Sequence, residues 1–206
     1  KEHEPKLFQN AHKFISIKDD VIFRLSGEYL IDYSLASATG LFDIESLQWS
    51  DAALGLIGIS TEKLSKPVSI FSKVFINPNV RNIPSGLLAV PVFLGASDGC
   101  LSQLGSNAMG QGALTITVGT SGAVRRVGTK ETKDLERKLF RYLLDEDTII
   151  IGGATNNGTV ILDWFAREFF SASMSLGELT KLASRIPAGS DGLIALPFLQ
   201  GERAPI

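Results

Sequence analysis

Apolar residues recur along the chain at two different steps. Between residues 4 and 25, Leu7, Phe8, Ala11, Phe14, Ile15 and Ile22 fall three and four apart, with Lys6, Lys13, Lys18, Asp19 and Asp20 between them. That is the step of a helix surface. Pro5 suits a first turn, a break near Ser16 divides the stretch into two helices, and Gly27 stops the second. Further helices are predicted over residues 51–57 (capped by Ser50, ended by Gly58), 62–64 (capped by Thr61), 99–108, 160–169 and 175–185. In the helix over 99–108, Leu101 and Leu104 are expected to face a core. Residues 42–49 read as a short amphipathic turn closed by Trp49, and 68–91 as a loop-rich stretch. Denser β-branched and apolar runs predict strands over 90–94, 113–118, 123–127, 139–144, 148–151 and 193–199, the first and last of them buried. Asp145-Glu146-Asp147 is the turn between two of these strands, and the charge-dense run 130–138 is an exposed loop. Helices and strands thus mix, as in an α/β protein.

Three glycine-rich turns interrupt the pattern at strand ends. Gly95-Ala96-Ser97-Asp98-Gly99 follows the strand over 90–94, and its small residues leave one carboxylate, Asp98, uncovered. The N–H groups at the start of the next helix favour that carboxylate in its charged form. Gly119-Thr120-Ser121-Gly122 follows the strand over 113–118. There glycine permits close approach of a ligand, successive N–H groups form a concavity for an anion, and two hydroxyls add donors. The third turn, residues 152–158, runs Gly-Gly-Ala-Thr-Asn-Asn-Gly into a helix whose N-terminus suits an anion. A lone acid together with anion cradles points to phosphoryl transfer. The same residues also fit a plain hairpin loop at 119–122, a helix N-cap at Asp98 and another at Asn157.

Composition narrows this. The 206 residues are 44% hydrophobic and 20% charged, as in a soluble globular protein of one or two domains. The net charge of -2 gives no electrostatic reason to expect nucleic acid or an anionic membrane as partner. No apolar run reaches the ~18 residues of a spanning helix, and no leader pattern is visible. The single cysteine, Cys100, fits a reducing cytosol and reads as a small buried apolar residue. His3 and His12 lack a second ligand at metal spacing, so no metal site is assigned.

Five blocks in order resemble the FGGY family of carbohydrate kinases: residues 31–43 (IDYSLASATGLFD), 95–99 (GASDG), 116–125 (ITVGTSGAVR), 152–164 (GGATNNGTVILDW) and 201–205 (GERAP). The resemblance implies an actin-like ATPase (ribonuclease H-like) two-domain sugar kinase fold, with this chain an internal piece spanning the domain junction. Residues 1–105 would be the C-terminal part of the sugar-binding domain, and 106–206 the N-terminal part of the nucleotide-binding domain. It implies transfer of the ATP γ-phosphoryl group to a sugar or sugar-acid hydroxyl, D-gluconate to 6-phosphogluconate first, xylulose or another pentulose as the alternative. A sugar or nucleotide sensor that keeps the fold without catalysis is the rival from another class. Asp98 would be the base, with Asp98, Gly99 and Arg203 binding the sugar. Gly119, Thr120, Ser121, Gly158 and Thr159 would hold ATP. Mg²⁺ is expected, with its carboxylate ligand outside this piece. The implied setting is cytoplasmic, with homo-oligomerisation left open. Thr159 and Asp163 depart from the family pattern, where a glycine and a glutamine stand. Asp32, Ser34 and Thr39 would either scaffold the sugar cleft or touch the sugar.

Overall fold

The computed structural model describes residues 1–132, 138–170, 174–199, 201 and 202. It comprises two compact units. One is Lys1–Gly110 with Val127–Lys133 and Arg141–Ile150; the other is Gln111–Arg126 with Asp134–Phe140 and Ile151–Ile206.

The first unit opens with α1 (Pro5–Asn10) and α2 (Ile17–Ser26). The break falls at Ser16, whose hydroxyl accepts the Asp19 N–H at 3.1 Å, and Gly27 closes α2 at φ +84° with its N–H on the Phe23 carbonyl. β1 (Leu30–Asp32) leads straight into α3 (Tyr33–Ser37), with Asp32 as N-cap. The amphipathic turn expected over 42–49 is instead a hairpin of β2 (Phe42–Asp43) and β3 (Gln48–Trp49), with Phe42 opposite Trp49. Asp43 makes the difference. Its carboxylate accepts from the Glu45 N–H and the Ser46 hydroxyl, which draws the chain back on itself. Those bonds also hold the Asp43 carboxyl below its ordinary range.

Ser50 caps α4 (Asp51–Ile57), and Gly58 ends it in the left-handed region. The short helix predicted over 62–64 is a 3₁₀ turn, Thr61–Lys63, and Ser60 precedes it without a side-chain cap. β4 (Lys66–Val68) runs parallel to β1. β5 (Lys73–Val74) pairs antiparallel with β6 (Val92–Phe93), with a 3₁₀ turn at Ser85–Leu87 between them. The run over 90–94 is therefore not sealed on both faces: Leu94 is buried against Ile22 and Val74, whereas Phe93 is exposed. α5 (Asp98–Gly105) follows the Asp98 turn. Its buried positions are Cys100 and Gln103, and Leu101 and Leu104 are exposed, which corrects the predicted face by one residue. Gln103 can occupy the core because its amide donates to the Ala108 carbonyl at 2.6 Å. Cys100 is enclosed with Ala96, Leu144 and Ile150.

β7 (Leu114–Val118) and β8 (Gly122–Thr129) form an antiparallel hairpin with Val118 opposite Gly122. With β9 (Phe140–Leu143) and β10 (Thr148–Thr155) they make a four-stranded sheet in the order β7-β8-β10-β9. The Asp145 carboxylate accepts the Asp147 and Thr148 N–H groups and so forms the expected turn. β10 runs four residues further than predicted. At Gly152 an ideal Cβ would lie 2.2 Å from the Val124 carbonyl oxygen and 2.5 Å from Phe140, so this glycine admits neighbouring groups rather than turning the chain. α6 (Val160–Phe170) and α7 (Leu176–Ala183) follow, then a 3₁₀ turn at Ser190–Gly192. The buried strand predicted over 193–199 is not formed. Leu193 and Ile194 are more than 80% exposed, and among the described residues the stretch has no ladder, only a bridge from Leu199 to Gly201. An apolar strand is buried only where another layer stands against it. Most of the charged loop over 130–138 lies outside the described residues.

Candidate active site

Asp98 stands at the start of α5 with its carboxylate exposed, accepting the Gly99 N–H at 2.7 Å. The turn before it is anchored from several sides. Leu94 N–H donates to the Ser72 carbonyl and Gly95 N–H to the Ile70 carbonyl, each at 3.0 Å. Lys18 Nζ donates to the Gly95 carbonyl at 3.2 Å and to Asp32 Oδ2 at 2.5 Å. Ser97 gives its N–H to Ser34 Oγ at 3.1 Å, and the two hydroxyls lie 3.0 Å apart. Asp32 and Ser34 are fully enclosed, and Asp32 Oδ1 accepts the Leu35 N–H. Thr39 bonds the Ala36 carbonyl and the Leu41 N–H. Asp32 and Ser34 are thus engaged in the scaffold under the turn, whereas Thr39 is exposed and bonds within its own segment.

The second unit brings the two nucleotide-side groups of predicted residues together. Gly119 N–H donates to the Ser121 carbonyl at 2.8 Å, Gly158 N–H to the Thr120 carbonyl at 3.1 Å, and Thr159 N–H to the Gly119 carbonyl at 2.6 Å. A Cβ at Gly158 would lie 2.3 Å from the Gly119 oxygen. Only glycine allows that approach. Two of the amides expected to form an anion cradle, those of Gly158 and Thr159, therefore bond the facing turn, that of Gly119 closes its own turn, and the hydroxyls of Thr120, Ser121 and Thr159 take part in none of these bonds. Gly119, Thr120 and Ser121 are exposed; Gly158 and Thr159 are half-buried, with Thr159 immediately ahead of α6. This set offers short hydroxyl donors at a helix N-terminus, a fit for phosphate oxygens. Among the described residues no group of three or more His, Cys, Asp or Glu is placed to hold a metal ion.

One residue of this unit carries more than the sequence indicated. Arg203, expected to bind the sugar, lies outside the described residues, and the sequence assigns no role to its neighbour Glu202. The Glu202 carboxylate accepts from the Thr155 hydroxyl at 2.5 Å, the Asn156 N–H at 3.3 Å and the Asn157 amide at 3.2 Å. The Asn157 amide also donates to the Gly201 carbonyl at 2.7 Å. Glu202 thus gathers the donors of the Asn-Asn turn that leads to Gly158. The only hint in the chain is a lone acid after an apolar run, some 45 positions from a turn rich in hydrogen-bond donors.

The FGGY family of carbohydrate kinases, N-terminal domain, matches residues 1–105. Gluconokinase of Bacillus subtilis (strain 168) is 40% identical over 213 residues, covering 98% of this chain and 41% of that protein. Xylulose kinase of the same organism is 31% identical, covering 100% of this chain and 41% of that protein. The crystal structure of gluconate kinase from Lactobacillus acidophilus superposes with a TM-score of 0.85 at 34% identity, over 98% of this chain and 41% of that one. The chain spans about two fifths of the length of these relatives. Its α/β architecture is the actin-like ATPase fold of the sugar kinases. A carboxylate turn braced from the enclosed Asp32 and Ser34, paired glycine turns ahead of α6, and the match over 1–105 place the chain in the FGGY family of carbohydrate kinases.

Proposed function

We propose that the full-length protein transfers the γ-phosphoryl group of ATP to a hydroxyl of a sugar acid, D-gluconate to 6-phosphogluconate. The observation that carries this reading is the exposed Asp98 carboxylate on a turn fastened by Lys18 and Ser34. Asp98 accepts the proton of the attacking hydroxyl, whose oxygen bonds the γ-phosphorus while ADP departs. Gly99 lies beside the sugar, and Arg203 holds a sugar-acid carboxylate by two parallel hydrogen bonds. Gly119, Thr120, Ser121, Gly158 and Thr159 bind phosphate oxygens, the hydroxyls serving as donors. Mg²⁺, when bound, would neutralise those oxygens, with its carboxylate ligand expected outside these residues.

Gluconate is preferred to xylulose because identity to the gluconokinase, 40%, exceeds that to the xylulose kinase, 31%. Residues 1–105 close the sugar-binding domain and 106–206 open the nucleotide-binding domain. The protein works in the cytosol, in keeping with its single cysteine and with the lack, among the described residues, of a helix long and apolar enough to cross a membrane. It acts on small molecules rather than on nucleic acid or membrane, and self-association is compatible with this role.

The test is Asp98→Asn in the full-length enzyme, assayed by coupled ADP release with gluconate, xylulose, ribulose and glycerol. Turnover on gluconate should fall at least ~10²-fold, the low end for a positioned acid–base group. Near-normal turnover removes Asp98 from this role, a preference for xylulose reassigns the substrate, and binding of both substrates without ADP release identifies a sensor.

A further inference from the structure

We propose that Lys18 is a positioning residue for Asp98, acting through the buried Asp32 carboxylate and the Gly95 carbonyl. The inference rests on Asp98 being the proton acceptor and says what holds that acceptor in place.

The turn cannot be stiffened by bulk, because its residues are Gly, Ala and Ser. Among the described residues nothing lies within 4 Å of where a Cβ would sit on Gly95, so packing does not restrain it on that side. Its conformation, φ +65°, is one that glycine leaves easily. Hydrogen bonds must therefore fasten it. One comes from Gly95 N–H to Ile70, and the other from Lys18, 77 positions away in the chain.

The strength of the Lys18 bond depends on Asp32. That carboxylate is completely enclosed, and an enclosed charge requires a partner. Lys18 Nζ supplies it at 2.5 Å, which commits the ammonium to one location. From there its remaining protons reach the Gly95 carbonyl. Two residues beyond Asp32, Ser34 bonds both the N–H and the hydroxyl of Ser97. Positions three before and one before Asp98 are thus tied to one rigid patch, made of α2, the end of β1 and α3. A catalytic group displaced by about 1 Å loses rate on the order of 10²-fold, so loosening this patch should slow chemistry without weakening either substrate.

The experiment uses the full-length kinase. Lys18→Met combined with Asp32→Asn removes both charges, so no carboxylate is left buried and alone. Lys18→Arg keeps the charge, Ser34→Ala cuts the second tie and spares the ion pair, and Asp98→Asn is run beside them. The double variant should stay folded, with kcat down at least ~10-fold and KM for ATP and for gluconate within about twofold, and Lys18→Arg should recover most of the loss. Ser34→Ala should show the same split, which preserves the test if the double variant does not fold. Full kcat in a folded double variant or in Ser34→Ala overturns the proposal. So does a fall in kcat matched by both KM values and by the melting temperature, which marks Lys18 as scaffold alone. If Asp98→Asn keeps its turnover, the reading beneath the proposal fails. If Asp98→Asn is dead while the Lys18 variants are fully active, only the positioning role fails.

Discussion

The turn that presents Asp98 and the paired turns around Gly119 and Gly158 are built on opposite plans. The first is fastened largely by side chains distant in sequence, Lys18 and Ser34, and its glycine is there for a backbone angle. The second is main chain on main chain, carbonyl to amide, and its glycine is there for room. Identical-looking glycine-rich signatures thus answer to different physical demands. Substitutions should tell them apart, because a methyl group added at Gly158 has nowhere to go whereas one added at Gly95 has open space.

The largest effect is expected for Gly158→Ala. The new methyl would meet the Gly119 carbonyl, and overpacking of this kind costs about 3 kcal/mol. The melting temperature should fall and KM for ATP should rise well above any change for sugar; an unchanged melt would mean the two turns do not touch. Glu202→Gln comes next. It keeps the shape but turns an amide N–H toward one of three donors, at about 1 kcal/mol for a half-buried group. Here too the ATP side should suffer more than the sugar side. Gly95→Ala should cost about 1 kcal/mol from the left-handed angle alone, and Gly95→Asn less, since Asn tolerates that region. Equal penalties for Ala and Asn would show that room, not angle, matters there, and would erase the contrast.

The smallest effect sets the floor, in α7, which belongs to neither turn. The N–H and hydroxyl of Ser175 hold the Glu178 carboxyl below its ordinary value of 4.5. A depressed folded value means that this contribution is complete above about pH 4.5 and is lost as pH falls through the lowered value. Ser175→Ala should raise the Glu178 midpoint back toward 4.5, read by NMR titration of its side-chain carboxyl, with no change in either KM.

How much of this could be read from the chain depends on how far each cause reaches. α2 and α4 were legible because their stops and starts are local: Ser16 and Gly27 bracket one, Ser50 and Gly58 the other. The exposure of Asp98 was legible from its small neighbours. Leu101 and Leu104 misled because apolar spacing does not say which of two adjacent faces meets Leu144 and Ile150. The stretch 193–199 misled because hydrophobicity records a demand for cover, and cover is supplied by other segments. Gly152 looked like a turn residue since its crowding comes from Val124 and Phe140, on other strands. Lys18 and Glu202 were invisible for the same reason: their partners lie tens of positions away.

Cys100 sits two residues past Asp98, wholly enclosed, with its thiol directed at the Leu143 carbonyl. An alkylating reagent can reach that sulfur only when α5 lifts away from its bed. Peptide-resolved labelling of Cys100 over time is therefore a built-in clock for the breathing of the helix that carries the acid, and comparing its rate with and without sugar would measure how far the substrate quiets that motion.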